Sequence, residues 1–154
     1  RELMLKSATS APFAALRPTL IYGADVPHIG YGPKRFRRQA QQGQPITIFG
    51  EGQERRDHEQ VYDVARLAVS MLKQRSRGAL NAVTGTSVSF HDIAHMTAAL
   101  FKNDVSVESV PRPGPRPHLL HRFFDITECR KAFPAFQYVP LAQGLPQSVR
   151  IGAR

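Results

Sequence analysis

Two arginines beside a glycine-flanked turn are the residues of this chain best suited to chemistry. Arg55 and Arg56 stand together ahead of Asp57, shortly after Gly50 and Gly52. A guanidinium holds a permanent charge and a planar fork of donors that matches carboxylate or phosphate. The pattern points to anion binding, although alone it reads equally well as a charged loop in water. A second basic stretch is Pro111-Arg112-Pro113-Gly114-Pro115-Arg116-Pro117. So many prolines exclude a regular helix or a central strand and leave a stiff loop, able to reach a phosphate or to stand in solvent. His91 and His95 have the four-residue spacing of a metal pair. No third ligand and no H-E-x-x-H pattern accompany them, so solvent-facing histidines are the simpler reading and no metal is expected. The other histidines, including His28, His58, His118 and His121, show no pairing with a nucleophile that would make a hydrolase triad. Cys129 is the single cysteine, which excludes an intrachain disulfide and fits a reducing compartment.

The formal charge is +9, from 21 Lys and Arg against 12 Asp and Glu. Such an excess attracts nucleotide phosphates, nucleic acid or an acidic partner. The basic residues are scattered, without the pattern of an RNA-recognition module, a helix-turn-helix or a zinc finger, so nucleic acid rests on charge alone. With 154 residues, 42% of them hydrophobic, the chain can bury a single sizeable core. No run approaches the roughly 18–20 apolar residues of a membrane span, and nothing resembles a secretory signal. The expectation is a cytoplasmic protein with no membrane partner.

The elements around these residues follow from periodicity and punctuation. Residues 2–8 favour a helix, and residues 14–22 form an apolar run bounded by Pro12 and Gly23 that reads as one buried strand, made irregular by Pro18. Residues 24–32 make a loop. Pro33 then opens a basic helix through Gln42, closed by Gly43, with Phe36 and Ala40 on one face. Ile46, Ile48 and Phe49 mark a short strand ahead of the glycine turn. A second short strand follows the arginines. Asp63 reads as the N-cap of a helix over roughly 64–75, with Val64, Leu67, Ala68, Met71 and Leu72 on its apolar face. A strand at 79–83 leads to Ser89 and Asp92, an approximate capping box for a helix to about Phe101. Val105–Val110 alternates as a half-buried strand does. Asp125 and Thr127 begin a short helix to about Phe133, and a last helix starts near Pro140.

Three motifs then line up in order. Arg17-Pro18-Thr19-Leu20-Ile21-Tyr22-Gly23 follows R-P-x-x-(I/V)-Y-G, and Gly43-Gln44-Pro45-Ile46-Thr47-Ile48-Phe49-Gly50-Glu51-Gly52 follows G-x-P-(I/L)-x-I-F-G-x-G. Arg56-Asp57 with Val61-Tyr62-Asp63-Val64-Ala65 follows x-R-D-x-x-x-V-x-D-V-A. From about Leu3 to Leu145 the chain resembles the NAD-dependent epimerase/dehydratase family of the extended short-chain dehydrogenase/reductase superfamily, which acts mostly on nucleotide sugars. The resemblance implies an α/β fold: the C-terminal portion of a Rossmann-like NAD(P)-binding fold, interleaved with a small α/β substrate-binding domain across residues 1–154. The N-terminal cofactor-binding half would then be absent, in keeping with a first residue, Arg1, inside a helical stretch. Implied with it are NAD or NADP as cofactor, a nucleotide-sugar substrate, and a homodimer for the complete protein.

The same resemblance assigns residues. Pro18 and Leu20 would line the junction of cofactor and substrate, with Leu20 standing where many sugar-nucleotide epimerases carry Asn; Leu20 also reads as plain core. Arg35-Phe36 replaces an Asn-Phe pair that helps to enclose the nucleotide, so Phe36 is a packing or base-facing residue, and Arg35 for Asn puts uridine specificity in question. Thr47 and Ile48 would lie beside the base, and Arg56 would contact the diphosphate. Asp57 would orient that guanidinium or accept loop N–H bonds, and Arg55 is expected in solvent. Arg112 matches an Arg that closes over the phosphates, while Pro115 replaces an Asp of that loop. No Tyr-x-x-x-Lys motif and no glycine-rich dinucleotide fingerprint occur in these residues, so no catalytic residue is assigned and the chain alone is expected to be inactive. Two alternatives stay open: a superfamily reductase of a ketone without a nucleotide, and a non-catalytic binding or assembly subunit with the same fold.

Overall fold

The computed structural model describes residues 2–24, 32–102, 104–115 and 119–151. The chain opens with helix α1 (Glu2–Ser7), followed by strands β1 (Ala14–Pro18) and β2 (Leu20–Tyr22), helix α2 (Gly32–Gln41), and strands β3 (Ile46–Phe49) and β4 (Arg55–Gln60). Helix α3 (Val61–Lys73), strands β5 (Gly78–Ala82) and β6 (Ser87–Ser89), and helix α4 (Phe90–Ala98) come next. Strands β7 (Val107–Val110) and β8 (His121–Arg122) and helices α5 (Thr127–Ala132) and α6 (Leu141–Ile151) complete it. The fold is α/β with parallel pairing dominant, as the sequence implied: β1 with β5, β2 with β4, β3 with β7 and β4 with β8 are parallel, and β4 with β6 is antiparallel.

The run at 14–22 is not one strand. It divides at Thr19, with β1 pairing to β5 and β2 to β4. Pro18 has no N–H to continue a ladder. Thr19 instead straddles the two pairings, its N–H donating to Ala82 O at 3.1 Å and its Oγ1 to Asp57 O at 3.1 Å. The expected N-cap at Asp63 is also displaced. The helix starts at Val61, with Gln60 as an N-cap that makes no side-chain bond, because β4 runs into α3 without a loop. Asp63 therefore falls in the first turn and is spent on tertiary contacts: Oδ2 accepts Val139 N–H at 2.7 Å, and Oδ1 pairs with Arg66 at 2.5 Å. The Ser89 cap is as read, its Oγ accepting Asp92 N–H at 3.0 Å. Beyond Ala98 the helix tightens into i→i+3 bonds at Leu100 and Phe101.

Two apolar clusters flank the middle of the molecule. Phe36, Ala40, Ile46, Ile48, Ile93 and Ala94 join α2, β3 and α4. Leu67, Met71, Leu80, Ala82, Cys129 and Phe133 join α3, β5 and α5. Between them lies β4, whose residues from Arg56 to Gln60 are all polar and all buried. Between β1 and the C-terminal half of α3 a groove of about 710 Å³ is lined by Phe13, Leu16, Met71 and Leu72, and α1 carries Leu3, Met4 and Leu5 exposed.

Candidate functional site

The turn from β3 to β4 places the arginines. Gly50 and Gly52 both adopt positive φ, +55° and +64°, which side chains other than glycine resist. At Gly52 a Cβ would stand 2.8 Å from His91 N, while its carbonyl accepts that N–H at 2.9 Å. The turn is thus pinned against the start of α4, and the chain leaves it with Glu54 and Arg56 on one side of the strand, as a two-residue period requires.

Arg56 is 2% exposed and both its terminal nitrogens are engaged. Nη1 donates to the carbonyls of Arg55 (2.7 Å) and Leu120 (3.1 Å), and Nη2 donates to Glu54 Oε2 at 3.0 Å. The other oxygen of Glu54 takes Arg112 Nη2. Arg112 is 26% exposed, and its guanidinium carbon lies 5.2 Å from the Phe49 ring centroid. Arg35 approaches the same ring at 5.1 Å and donates from Nη2 to Thr47 O at 2.5 Å. A recess of about 250 Å³ opens here, bounded by Phe49, Gly50, Glu51, Gln53, Glu54, Arg112 and Leu120. Chemically it offers one accessible guanidinium, an aromatic face and two carboxylates, with a second guanidinium behind them: an anion site with its own counter-charge.

Of the residues proposed from the sequence, Arg112 lines this recess, while Arg56 pairs with its Glu54 and Arg35 joins its Phe49 to Thr47. Thr47 is half-buried, its Oγ1 accepting from Gln39 Nε2 at 2.9 Å. Phe36 and Ile48 sit in the apolar cluster under α4, and Phe36 meets Phe90 edge-on at 6.4 Å; in this arrangement neither presents surface to a ligand, which for Phe36 is the packing alternative. The guanidinium of Arg56 is likewise turned inward. Pro18 is exposed and Leu20 half-buried at the carboxyl end of β1 and the start of β2, with Leu20 in register with His58. Asp57 takes the second of its two expected roles, accepting Thr84 Oγ1 (2.6 Å) and Gly85 N–H (2.8 Å). Arg55 is exposed and donates to Ser87 O at 2.7 Å. Among the described residues no group of three or more His, Cys, Asp or Glu could hold a metal. Nor is any described helix long and apolar enough to cross a membrane.

Sequence reasoning passed over Glu54, Phe49, His58 and Glu59. The signal for Glu54 was its place two residues before Arg56, hence on the same side of a strand. His58 and Glu59 carried no such signal, since a polar run does not announce a buried strand. Burial pushes His58 down to about 4, partly offset by its Nδ1 against Arg56 O at 3.2 Å, so the ring is neutral. Glu59 is completely buried, with no hydrogen-bond partner for either oxygen. Burial first, then the nearby Asp63 and Asp57, push it up to about 8.

A family model described as the NAD dependent epimerase/dehydratase family matches residues 2–83. A curated relative, dTDP-4-dehydro-6-deoxy-D-allose reductase of Streptomyces bikiniensis, is 28% identical over 142 residues, which is 88% of this chain and 41% of the relative. Among solved structures, UDP-N-acetylglucosamine 4-epimerase from Methanobrevibacter ruminantium, in complex with UDP-N-acetylmuramic acid, superposes with a TM-score of 0.81 at 21% identity over 97% of this chain and 49% of its own. UDP-glucuronic acid 4-epimerase from Bacillus cereus, in complex with UDP-glucuronic acid and NAD, gives a TM-score of 0.74 at 24% identity, over 92% of this chain and 45% of its own. These likenesses show a Rossmann-like epimerase/dehydratase fold, of which the chain spans about half the relatives' length.

Proposed function

The chain belongs to the NAD-dependent epimerase/dehydratase family, and from that premise we propose that it is the substrate-binding portion of an NAD(P)-dependent enzyme acting on a nucleotide sugar. The observation that carries the reading is the recess at the β3–β4 turn. There Arg112 stands over Phe49 in front of the buried Glu54–Arg56 pair, a cation beside an aromatic face suited to a phosphorylated nucleoside. In this reading Arg112 takes the phosphates, Phe49 and Thr47 flank the nucleoside, and Arg56 acts from behind by fixing Glu54 and the Leu120 carbonyl. Arg35 braces Phe49 and Thr47.

The dinucleotide is assigned to the carboxyl end of β1. Ligands of parallel α/β sheets bind beyond the carboxyl ends of strands, and β1 ends there at exposed Pro18 beside half-buried Leu20. NAD(P), when bound, would take up a hydride from a sugar carbon and return it. Pro18 and Leu20 would supply an apolar wall that excludes water, and these residues add no proton-transferring group. The remaining cofactor contacts are assigned to an N-terminal half, for which the groove between β1 and α3 and the exposed Leu3, Met4 and Leu5 leave apolar surface to bury. The complete protein is proposed as a homodimer.

Reduction rather than epimerisation is the second reading, favoured by the likeness to a dTDP-sugar reductase and by an apolar Leu20 in place of an amide. Titration of the complete protein with UDP, dTDP and uridine tests the site. A nucleoside diphosphate should bind, uridine should bind far more weakly, and Arg112→Ala should cost at least about tenfold for the diphosphate. Equal binding of uridine and UDP, or an Arg112→Ala variant that binds UDP normally, would sink the assignment. Turnover of UDP- or dTDP-hexoses with NAD or NADP then separates epimerase from reductase.

A further inference from the structure

Glu54 occupies the place an incoming anion needs. Its two oxygens are divided between two arginines, Oε2 with Arg56 Nη2 at 3.0 Å and Oε1 with Arg112 Nη2. Arg56 is fixed by two further carbonyl bonds and is buried. Arg112 is the partner that reaches the recess, and Glu51 lines the same recess as a second carboxylate. Among the described residues Glu54 is the carboxylate that both guanidinium groups share. A phosphate presents to a guanidinium the same pair of oxygens that a carboxylate does, and two anions on one face of Arg112 would repel each other.

We propose that Glu54 is an internal counter-anion that holds Arg112 in reserve, and that an anionic ligand claims Arg112 by displacing it from Glu54. The proposal rests on the nucleotide-sugar reading above and adds a specificity-determining residue to it. Because the carboxylate is already in place, binding is an exchange of partners. A ligand must carry enough charge to out-compete Glu54, so a neutral nucleoside leaves the pair closed while a nucleoside diphosphate opens it. The exchange costs every anion the same, so only one that gains more from Arg112 than Glu54 does can claim it. Arg56 stays with Glu54 throughout, so the carboxylate released by Arg112 is never left unpaired.

Glu54→Gln, Arg112→Ala and the double variant of the complete protein, each titrated with UDP and with uridine, test this. Glu54→Gln should bind UDP at least about tenfold more tightly than the wild type while its uridine binding is unchanged. The gain should vanish in the Arg112→Ala background, where there is no reserve to release. If the wild type binds UDP through Arg112 but Glu54→Gln binds it no better, the counter-anion role is overturned and the nucleotide reading survives. If neither protein binds UDP, both fall. Should Glu54→Gln fail to fold, because it leaves the buried Arg56 charge without its carboxylate, a crystal structure of the wild type with UDP decides. Arg112 should have left Glu54 for a phosphate oxygen; a Glu54–Arg112 pair intact beside bound UDP overturns the proposal.

Discussion

Replacing Glu59 by glutamine removes a proton that the folded chain is built to hold. Glu59 has neither solvent nor a hydrogen-bond partner, and Asp57, Asp63, Cys129 and Tyr138 are the titratable groups around it. Its carboxyl group titrates near 8 in the fold against 4.5 in an ordinary setting. Between those values the unfolded chain has lost the proton and the folded chain has kept it, so stability falls as pH rises. At 1.36 kcal/mol per pH unit the full window is worth at most roughly 5 kcal/mol. His58 acts with the opposite sign. Its ring titrates near 4 in the fold against 6.5 ordinarily, so stability is lost as pH falls through that window. From about pH 4.5 to 6.5 the two slopes cancel, and from 6.5 to 8 only Glu59 remains, costing about 2 kcal/mol. Wild-type urea midpoints should therefore be nearly level up to pH 6.5 and decline above it. Glu59→Gln should rise by up to about 3 kcal/mol from pH 4.5 to 6.5 as the His58 slope is exposed, then stay level to pH 8. Parallel profiles for the two proteins from pH 4.5 to 8 would refute this account of the buried strand.

Three further outcomes follow from single contacts. Asp57→Ala strips the acceptor from Thr84 Oγ1 and Gly85 N–H and should cost about 2–4 kcal/mol in urea unfolding, with the 84–86 turn losing hydrogen-exchange protection first. Gly43 and Gly52 share nearly the same positive φ, +65° and +64°, but only Gly52 is crowded, by His91 N. Gly43→Ala should cost about 1 kcal/mol, and Gly52→Ala roughly 3 kcal/mol or more, so equal midpoint shifts would show that φ alone governs both sites. Asp63→Ala should break the tie between α3 and residue 139, seen as a lower melting temperature that Arg66→Ala only partly reproduces, since the Val139 N–H bond survives in the latter.

Local chemistry was legible wherever a residue type constrains its own backbone. The glycines of the β3–β4 turn and the Ser89 cap report on their nearest neighbours, and both were found in place. The apolar face of α3 held only in part, with Leu67 and Met71 buried but Leu72 exposed, and β7 is buried at its two ends without the expected alternation. The cationic character of Arg55 and Arg56 was legible too, because a guanidinium keeps its charge in any fold. What depended on distant segments could not be read. Thr19 divides a continuous apolar run only because Asp57 and Ala82 lie on either side of it. Asp63 is drawn from helix capping to Val139, far along the chain. Arg56 looked like a ligand-facing cation until Leu120 and Glu54 closed over it, and the accessible charge passed to Arg112, which reaches the same carboxylate from a loop beyond β7. A side chain's type fixes what it can bind; only long-range packing fixes whether it is free to bind it, because burial and pairing are decided by residues brought together from elsewhere in the chain.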